Sequence, residues 1–145
     1  IKWVNDIYLN NKKMAGILTE AISSIESGRI TDVIIGVGLN FSITDFPEEL
    51  ANKATSLFTS EKPSITRNQL ISEIWKLFLT IPTSDLVKVY KEKSLVLDKQ
   101  VTFEQAGRTY TGIAKEIGDK GQLLVLTDDG QEKRLTAGEV SLTSW

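Results

Sequence analysis

Apolar positions come in short blocks along this chain, and turn-forming residues separate the blocks. Ile7-Tyr8-Leu9 precedes a polar tip, Asn10-Asn11-Lys12-Lys13, and a longer run extends from Met14 to Ile22. A second turn at Ser27-Gly28-Arg29 leads into Asp32-Val33-Ile34-Ile35-Gly36-Val37-Gly38-Leu39-Asn40. Blocks of β-formers bounded by turn residues predict three consecutive strands over Ile7 to Phe41, joined as a meander. Thr19-Glu20-Ala21-Ile22 alternates as a half-buried strand does. Val33-Ile34-Ile35 is continuously apolar, the pattern of a strand covered on both faces. Such a strand needs helices or a second sheet on top of it.

The period then changes. Ser42 to Pro63 is irregular, with a turn or short helix at Phe46-Pro47-Glu48-Glu49-Leu50. Thr66 with Gln69 fits an N-cap and its reciprocal partner. Leu70, Ile71, Ile74, Leu77, Phe78 and Ile81 follow at spacings of three and four, an amphipathic helix that Pro82 ends. Ser84 or Thr83 can cap a second helix whose apolar face is Leu86, Val87 and Tyr90. Both stripes read as core packing. From Val96 the chain turns to short strands with glycine turns: Val101 to Glu104, Thr109 to Ile117, Leu123 to Leu126 and Glu132 to Leu135. Four or five short strands in about fifty residues predict a small antiparallel barrel. The fold class is therefore α+β, with part of a mixed sheet packed with helices over residues 1–95 and a small β-barrel over 96–145.

Composition narrows the chemistry. The chain has 17 basic and 19 acidic residues, no histidine and no cysteine. Disulfides, thiol nucleophiles, imidazole or thiolate metal sites and histidine acid–base steps are excluded within it. The balance on either side of Val96, 11 basic to 11 acidic and then 6 to 8, offers no electrostatic footprint for nucleic acid. No apolar run is long enough for a membrane span. The lack of cysteine fits a reducing cytoplasm. The chain opens at Ile1 directly into a dense motif, so a longer parent protein is expected.

Taken singly, the polar residues of the meander have plain explanations. Lys13 could be a solvated hairpin lysine, Asn5-Asp6 an Asx turn, Gly36 and Gly38 aids to strand packing, and Asn40 a left-handed strand end. Taken together they say more. A meander brings the ends of its strands and the hairpin lysine within reach of one another. An amine, two amides, a carboxylate and bare glycine backbone then converge. A flat ligand could lie on the glycines, the amine suits an anionic or carbonyl oxygen, and a carboxylate can hold a divalent ion on phosphates. This is a workable set for acyl-adenylate chemistry, which depends on positioning and charge neutralisation.

Lys2-Trp3-Val4-Asn5-Asp6-Ile7-Tyr8 and Lys13-Met14-Ala15-Gly16-Ile17-Leu18-Thr19-Glu20 resemble the lysine-tryptophan-proline-asparagine-aspartate and lysine-x-alanine-glycine-isoleucine-leucine-x-glutamate signature of biotin protein ligases. Ile35 to Asn40 is similar to their next core motif, and Ala54-Thr55-Ser56-Leu57 matches as well. Gly112-Ile113-Ala114 and Gly138 to Leu142 resemble their closing SH3-like domain. The resemblance implies a class II synthetase-like catalytic domain. It implies an enzyme that makes biotinyl-5′-AMP from biotin and ATP with Mg²⁺, then transfers biotin to a lysine of a biotin carboxyl carrier domain. Carried over by position, Lys13 is the catalytic lysine at the biotin carboxylate and adenylate phosphate. Asn5 and Asp6 lie beside the adenylate and its magnesium, with Asp6 as the metal-side candidate. Asn40 lies near the adenine or ribose. Gly16, Ile17, Leu18, Gly36 and Gly38 line the biotin and nucleotide pockets, and Trp3 packs beneath them.

Two departures stand out. Val4 replaces the family's proline, with little effect expected because valine shares its extended preference. The glycine- and arginine-rich adenylate loop, which precedes this region in the family, is not in the chain. The chain alone is therefore expected to be inactive, and an open sheet edge predicts self-association, with a homodimer as one form. The alternatives are a lipoate-type ligase, against which Trp3 and the appended barrel argue, and a non-catalytic protein-binding module.

Overall fold

The structure is a computed structural model that describes residues 1–59 and 62–143. The chain divides into two compact units, one formed by Asn5–Pro63 and the other by Ile1–Val4 together with the chain from Ser64 onward.

The Asn5–Pro63 unit is the predicted meander. Strands β1 (Asp6–Leu9), β2 (Lys12–Ser23) and β3 (Ile30–Leu39) pair antiparallel in the order β1-β2-β3. The β1–β2 turn is tight because Asn10 and Asn11 both take positive φ, 50° and 59°. Asparagine tolerates that region, and two such residues match the right-handed twist of a hairpin. Past β3, Phe41 meets Phe58 edge-on with centroids 5.2 Å apart. Ser56 is buried, and its Oγ donates to the Ile43 carbonyl and accepts from the Ile43 amide.

The expectation that β3 is covered on both faces is not met in this unit. Val33, Ile34 and Ile35 are each about half exposed, at 54%, 53% and 47%. Among its described residues the unit holds no helix to lie over either face. The apolar run is written for a covered strand, and the cover is absent among the described residues of the unit.

The other unit holds helices α1 (Arg67–Thr80) and α2 (Thr83–Glu92) and strands β4 (Gln100–Gln105), β5 (Arg108–Ile117), β6 (Leu123–Thr127), β7 (Glu132–Leu135) and β8 (Val140–Leu142). The strands form one antiparallel sheet in the order β7-β6-β5-β4-β8. Their inward positions, among them Val101, Phe103, Ile117, Leu123 and Val125, build the core. The capping box at Thr66 and Gln69 forms as the sequence predicts. The second cap does not, because α2 starts at Thr83 behind Pro82, which makes no side-chain cap. Proline's fixed φ sets the chain direction into the helix without one.

Core packing of both helical stripes is also corrected. Neither helix buries a residue, and Trp75, Leu77 and Phe78 stay more than half exposed. Only Tyr90 of α2 packs against the core, where its hydroxyl donates to the Val4 carbonyl at 2.7 Å.

Trp3 is among this unit's buried residues. It is 2% exposed and belongs to the core of this second unit, where Nε1 donates to the Gly121 carbonyl at 2.8 Å. Lys2 is also buried and pairs with Glu139 at 3.1 Å.

Candidate functional site

Strand register decides what the Asn5–Pro63 unit can do. Asp6 stands opposite Gly16, Gly16 opposite Gly38, and Leu18 opposite Gly36. Cross-strand partners point to the same face, and so do residues two apart along a strand. One face of the meander therefore carries three glycines side by side, with Asp6 at one border and Leu18 at another. Deleting three adjacent side chains leaves a shallow trough. An open cleft of about 460 Å³ lies there, lined by Asn5, Asp6, Lys13, Gly16, Ile17 and Leu18 of the first two strands and by Gly36, Val37 and Gly38 of β3.

The glycines are bare for different reasons. A Cβ on Gly16 would sit 3.2 Å from Asp6 Oδ1 and 3.4 Å from Lys13 Cε, so this glycine makes room for the two charged side chains above it. A Cβ on Gly36 or Gly38 would meet nothing closer than 3.9 Å. Strand packing does not require glycine at either of those positions. Their bareness leaves the trough open to something outside the chain.

Lys13 reaches over this floor. Its ammonium is 2.7 Å from Asp6 Oδ1; the Asp6 side chain is 15% exposed and that of Lys13 47%. The amine is thus held at its base yet open to the cleft. Its backbone is fixed on the other side as well. Lys13 N donates to the Lys53 carbonyl at 2.8 Å, and Thr55 N donates to the Lys13 carbonyl at 3.0 Å, a parallel bridge to Ala54 that takes over where β3 ends. Asn5 seals the opposite edge of β2, its Nδ2 donating to the Ile17 carbonyl at 2.6 Å and its carbonyl accepting from Ile17 N at 3.0 Å.

The structure thus brings eight of the residues singled out in the sequence to one cleft: Lys13, Asn5, Asp6, Gly16, Ile17, Leu18, Gly36 and Gly38. Asn40 is not among the lining residues. Its Nδ2 donates to the Thr55 carbonyl at 3.1 Å and its own carbonyl accepts from Leu57 N, so it fastens the Ala54–Leu57 segment that flanks Lys13. Two participants escaped sequence reasoning. Val37 lines the cleft but reads as an ordinary strand residue. Lys53–Thr55 braces Lys13 from forty residues away, and no local pattern signals that pairing.

Residues 1–40 match the model of the biotin/lipoate A/B protein ligase family, and residues 96–143 match that of the biotin protein ligase C terminal domain. The two matches stand in one chain, in that order. The chain belongs to the biotin protein ligase family. It is 34% identical to the bifunctional ligase/repressor BirA of Bacillus subtilis across 94% of its own length and 44% of that protein's. With the biotin–[acetyl-CoA-carboxylase] ligase of Mycobacterium tuberculosis it shares 31% identity across 97% of this chain and 52% of that one. The chain thus spans about half the length of these curated relatives. Among solved structures, the apo biotin protein ligase of Aquifex aeolicus superposes with a TM-score of 0.73 at 28% identity, over all of this chain and 65% of that one. The same Aquifex ligase in complex with biotin and ATP superposes with a TM-score of 0.71 at 27% identity, over 62% of that chain. The two sheets, antiparallel in every strand pair and not mixed as the sequence suggested, and the two helices thus match biotin ligase structures.

A divalent metal was among the expectations for Asp6. Among the described residues no group of three or more Asp, Glu, His or Cys could hold a metal ion. The Asp6 carboxylate already faces an ammonium. This donor set does not fit a resident Mg²⁺, a hard cation that prefers several oxygens in octahedral array.

Proposed function

We propose that this chain is the later part of a biotin protein ligase: residues 1–95 belong to the class II synthetase-like catalytic domain, and residues 96–145 form the SH3-like C-terminal domain. The parent enzyme joins biotin to ATP and passes biotin to a lysine of a biotin carboxyl carrier domain. It works in the cytoplasm, without nucleic acid or membrane contact through this portion. The observation that supports this best is the trough itself: a glycine floor that packing does not require at Gly36 and Gly38, overhung by the half-exposed Lys13 ammonium.

In this reading the biotin carboxylate attacks the α-phosphorus of ATP and pyrophosphate leaves, forming biotinyl-5′-AMP. The carrier lysine's neutral amine then attacks the acyl carbonyl. AMP leaves, and the new amide loses a proton. Mg²⁺ arrives with ATP as part of the substrate. Lys13 carries the electrostatic work, offering its ammonium to the carboxylate in the first step and to the phosphate oxygens in both. Gly16, Gly36 and Gly38 let the ligand lie against the backbone, that of Ile17 and Val37 included, and Leu18 supplies apolar surface on the same face. Asn5 and Asn40 hold the strands and the flanking segment that fix this geometry. A lipoate-type reading is less well supported, because residues 96–143 match the biotin ligase C-terminal model.

Lys13→Ala in the complete ligase tests the assignment. Removing a charge-stabilising donor costs roughly 100- to 1,000-fold in turnover. Biotinyl-adenylate formation within threefold of the unsubstituted enzyme would reject the role. The 145-residue chain alone is expected to leave a carrier domain unbiotinylated, and turnover comparable to the complete ligase would overturn that.

A further inference from the structure

The geometry points to Asp6 as the positioning residue for Lys13, not a ligand for Mg²⁺. This rests on the reading of the cleft given above. Three observations converge. Asp6 Oδ1 lies 2.7 Å from Lys13 Nζ, within charge-assisted hydrogen-bond range. The carboxylate is sheltered, at 15% exposed, while the ammonium it holds is 47% exposed, so the pair is anchored at the acid and open at the amine. Finally, the β1–β2 register sets Asp6 opposite Gly16, where a Cβ would press on that same oxygen at 3.2 Å. Strand pairing and a missing side chain together create the space in which the pair forms.

An ammonium has three N–H donors. One bond to Asp6 leaves two for an incoming carboxylate or phosphate. Lysine is a flexible point charge on a four-carbon stem, and fixing its head before substrate arrives reduces the ordering cost of using it. Asp6 therefore sets where the charge sits and touches no substrate atom. A magnesium site would need several oxygen donors, and among the described residues no group of three or more Asp, Glu, His or Cys gathers to supply them.

Asp6→Asn in the complete ligase keeps shape and removes charge. The expected result is a fall in kcat of about tenfold or more, with the KM for biotin and the Mg²⁺ concentration for half-maximal rate unchanged. Adding Asp6→Asn to Lys13→Ala should cost nothing further, because residues that act through one another are not additive. A raised Mg²⁺ requirement in Asp6→Asn, or a further tenfold loss in the double variant, would overturn the assignment. A separate readout covers the case in which the parent makes no biotinyl-adenylate, which would sink the functional reading alone. In the ¹⁵N-labelled 145-residue chain, the Lys13 ammonium should give a proton–nitrogen signal protected from exchange that vanishes in Asp6→Asn. Its absence from the unsubstituted chain would refute the clamp itself.

Discussion

Gly112 in β5 offers the sharpest test of the fold. Replacing it with alanine adds one methyl group, and the structure says where that methyl group goes. It would lie 2.3 Å from the Leu126 carbonyl oxygen, 2.6 Å from Thr127 Cα and 2.8 Å from the Leu126 carbonyl carbon. All three are backbone atoms of the neighbouring strand, so no rotamer change can relieve the clash. Opening the strands by about 0.7 Å is the least that brings the closest pair to 3.0 Å, below which real Cβ contacts essentially do not occur. The adjoining bond from Asp128 N to the Thr111 carbonyl, now 3.0 Å, would then exceed hydrogen-bonding range. Overpacking costs about 1–3 kcal/mol, and each broken bond about 1 kcal/mol more. The expected loss is roughly 3 kcal/mol. For a unit of this size that is a melting-temperature fall on the order of 12 °C or more. Gly118→Ala is the matched control, because its Cβ would meet Gln122 Nε2 at 2.2 Å, the far end of a side chain that can swing away. Thermal melts of both variants followed by circular dichroism decide the matter. If Gly112→Ala loses no more stability than Gly118→Ala, the backbone argument is wrong.

Other positions give further expectations. Gly16→Ala should leave melting almost unchanged, because only a side-chain oxygen need shift by a few tenths of an ångström, yet slow adenylate formation about tenfold by displacing the Asp6–Lys13 pair; pyrophosphate release measures the second effect. Burial pushes the pKa of the Tyr90 hydroxyl up to about 12 from its ordinary 10.0. The folded chain therefore holds this proton where the unfolded chain has lost it. Its contribution is intact below pH 10 and disappears between about 10 and 12, a slope that urea melts at several pH values should show and that Tyr90→Phe should flatten. The same variant should cost roughly 1 kcal/mol at neutral pH, because the Val4 carbonyl loses its donor. Ala106 sits at φ 52° beside Gly107 at φ 72° in the β4–β5 turn, so Ala106→Asn should raise stability by about 0.5–1 kcal/mol; a lower melting temperature would contradict the strain argument.

What could be read from the sequence was local or periodic. The three strands of the meander, the Thr66–Gln69 cap and the short strands after Val96 each follow from propensity, turn chemistry and spacing. Asn5, Asp6, Lys13, Gly36 and Gly38 were legible because a meander has few ways to pair, while Gly16, Ile17 and Leu18 came from the family resemblance; register puts Asp6, Gly16 and Gly38 in one row. What could not be read depended on distant partners. Trp3 adjoins the motif in sequence, but its indole finds a carbonyl at Gly121. Asn40 fastens a segment fifteen residues further on, through a bond to the Thr55 carbonyl that nothing local announces. The apolar faces of α1 and β3 were read as packed, since period and hydropathy report what a surface is suited to touch and not whether the partner is present.

The seating of Trp3 and Lys2 in the second unit also fixes the order in which the chain can finish folding. That unit is built from the first four residues and from everything after Ser64, with the Asn5–Pro63 unit spliced between. Its core keeps a vacancy for the Trp3 indole, yet the strands that form the vacancy are synthesised only after the whole meander. The meander, with contacts close in sequence, can settle early; the second core must close a loop of about sixty residues, at an entropic cost that grows only with the logarithm of its length. A protease cut inside that loop would leave Trp3 held by non-covalent contacts alone, so the nicked protein should stay associated until the second core melts.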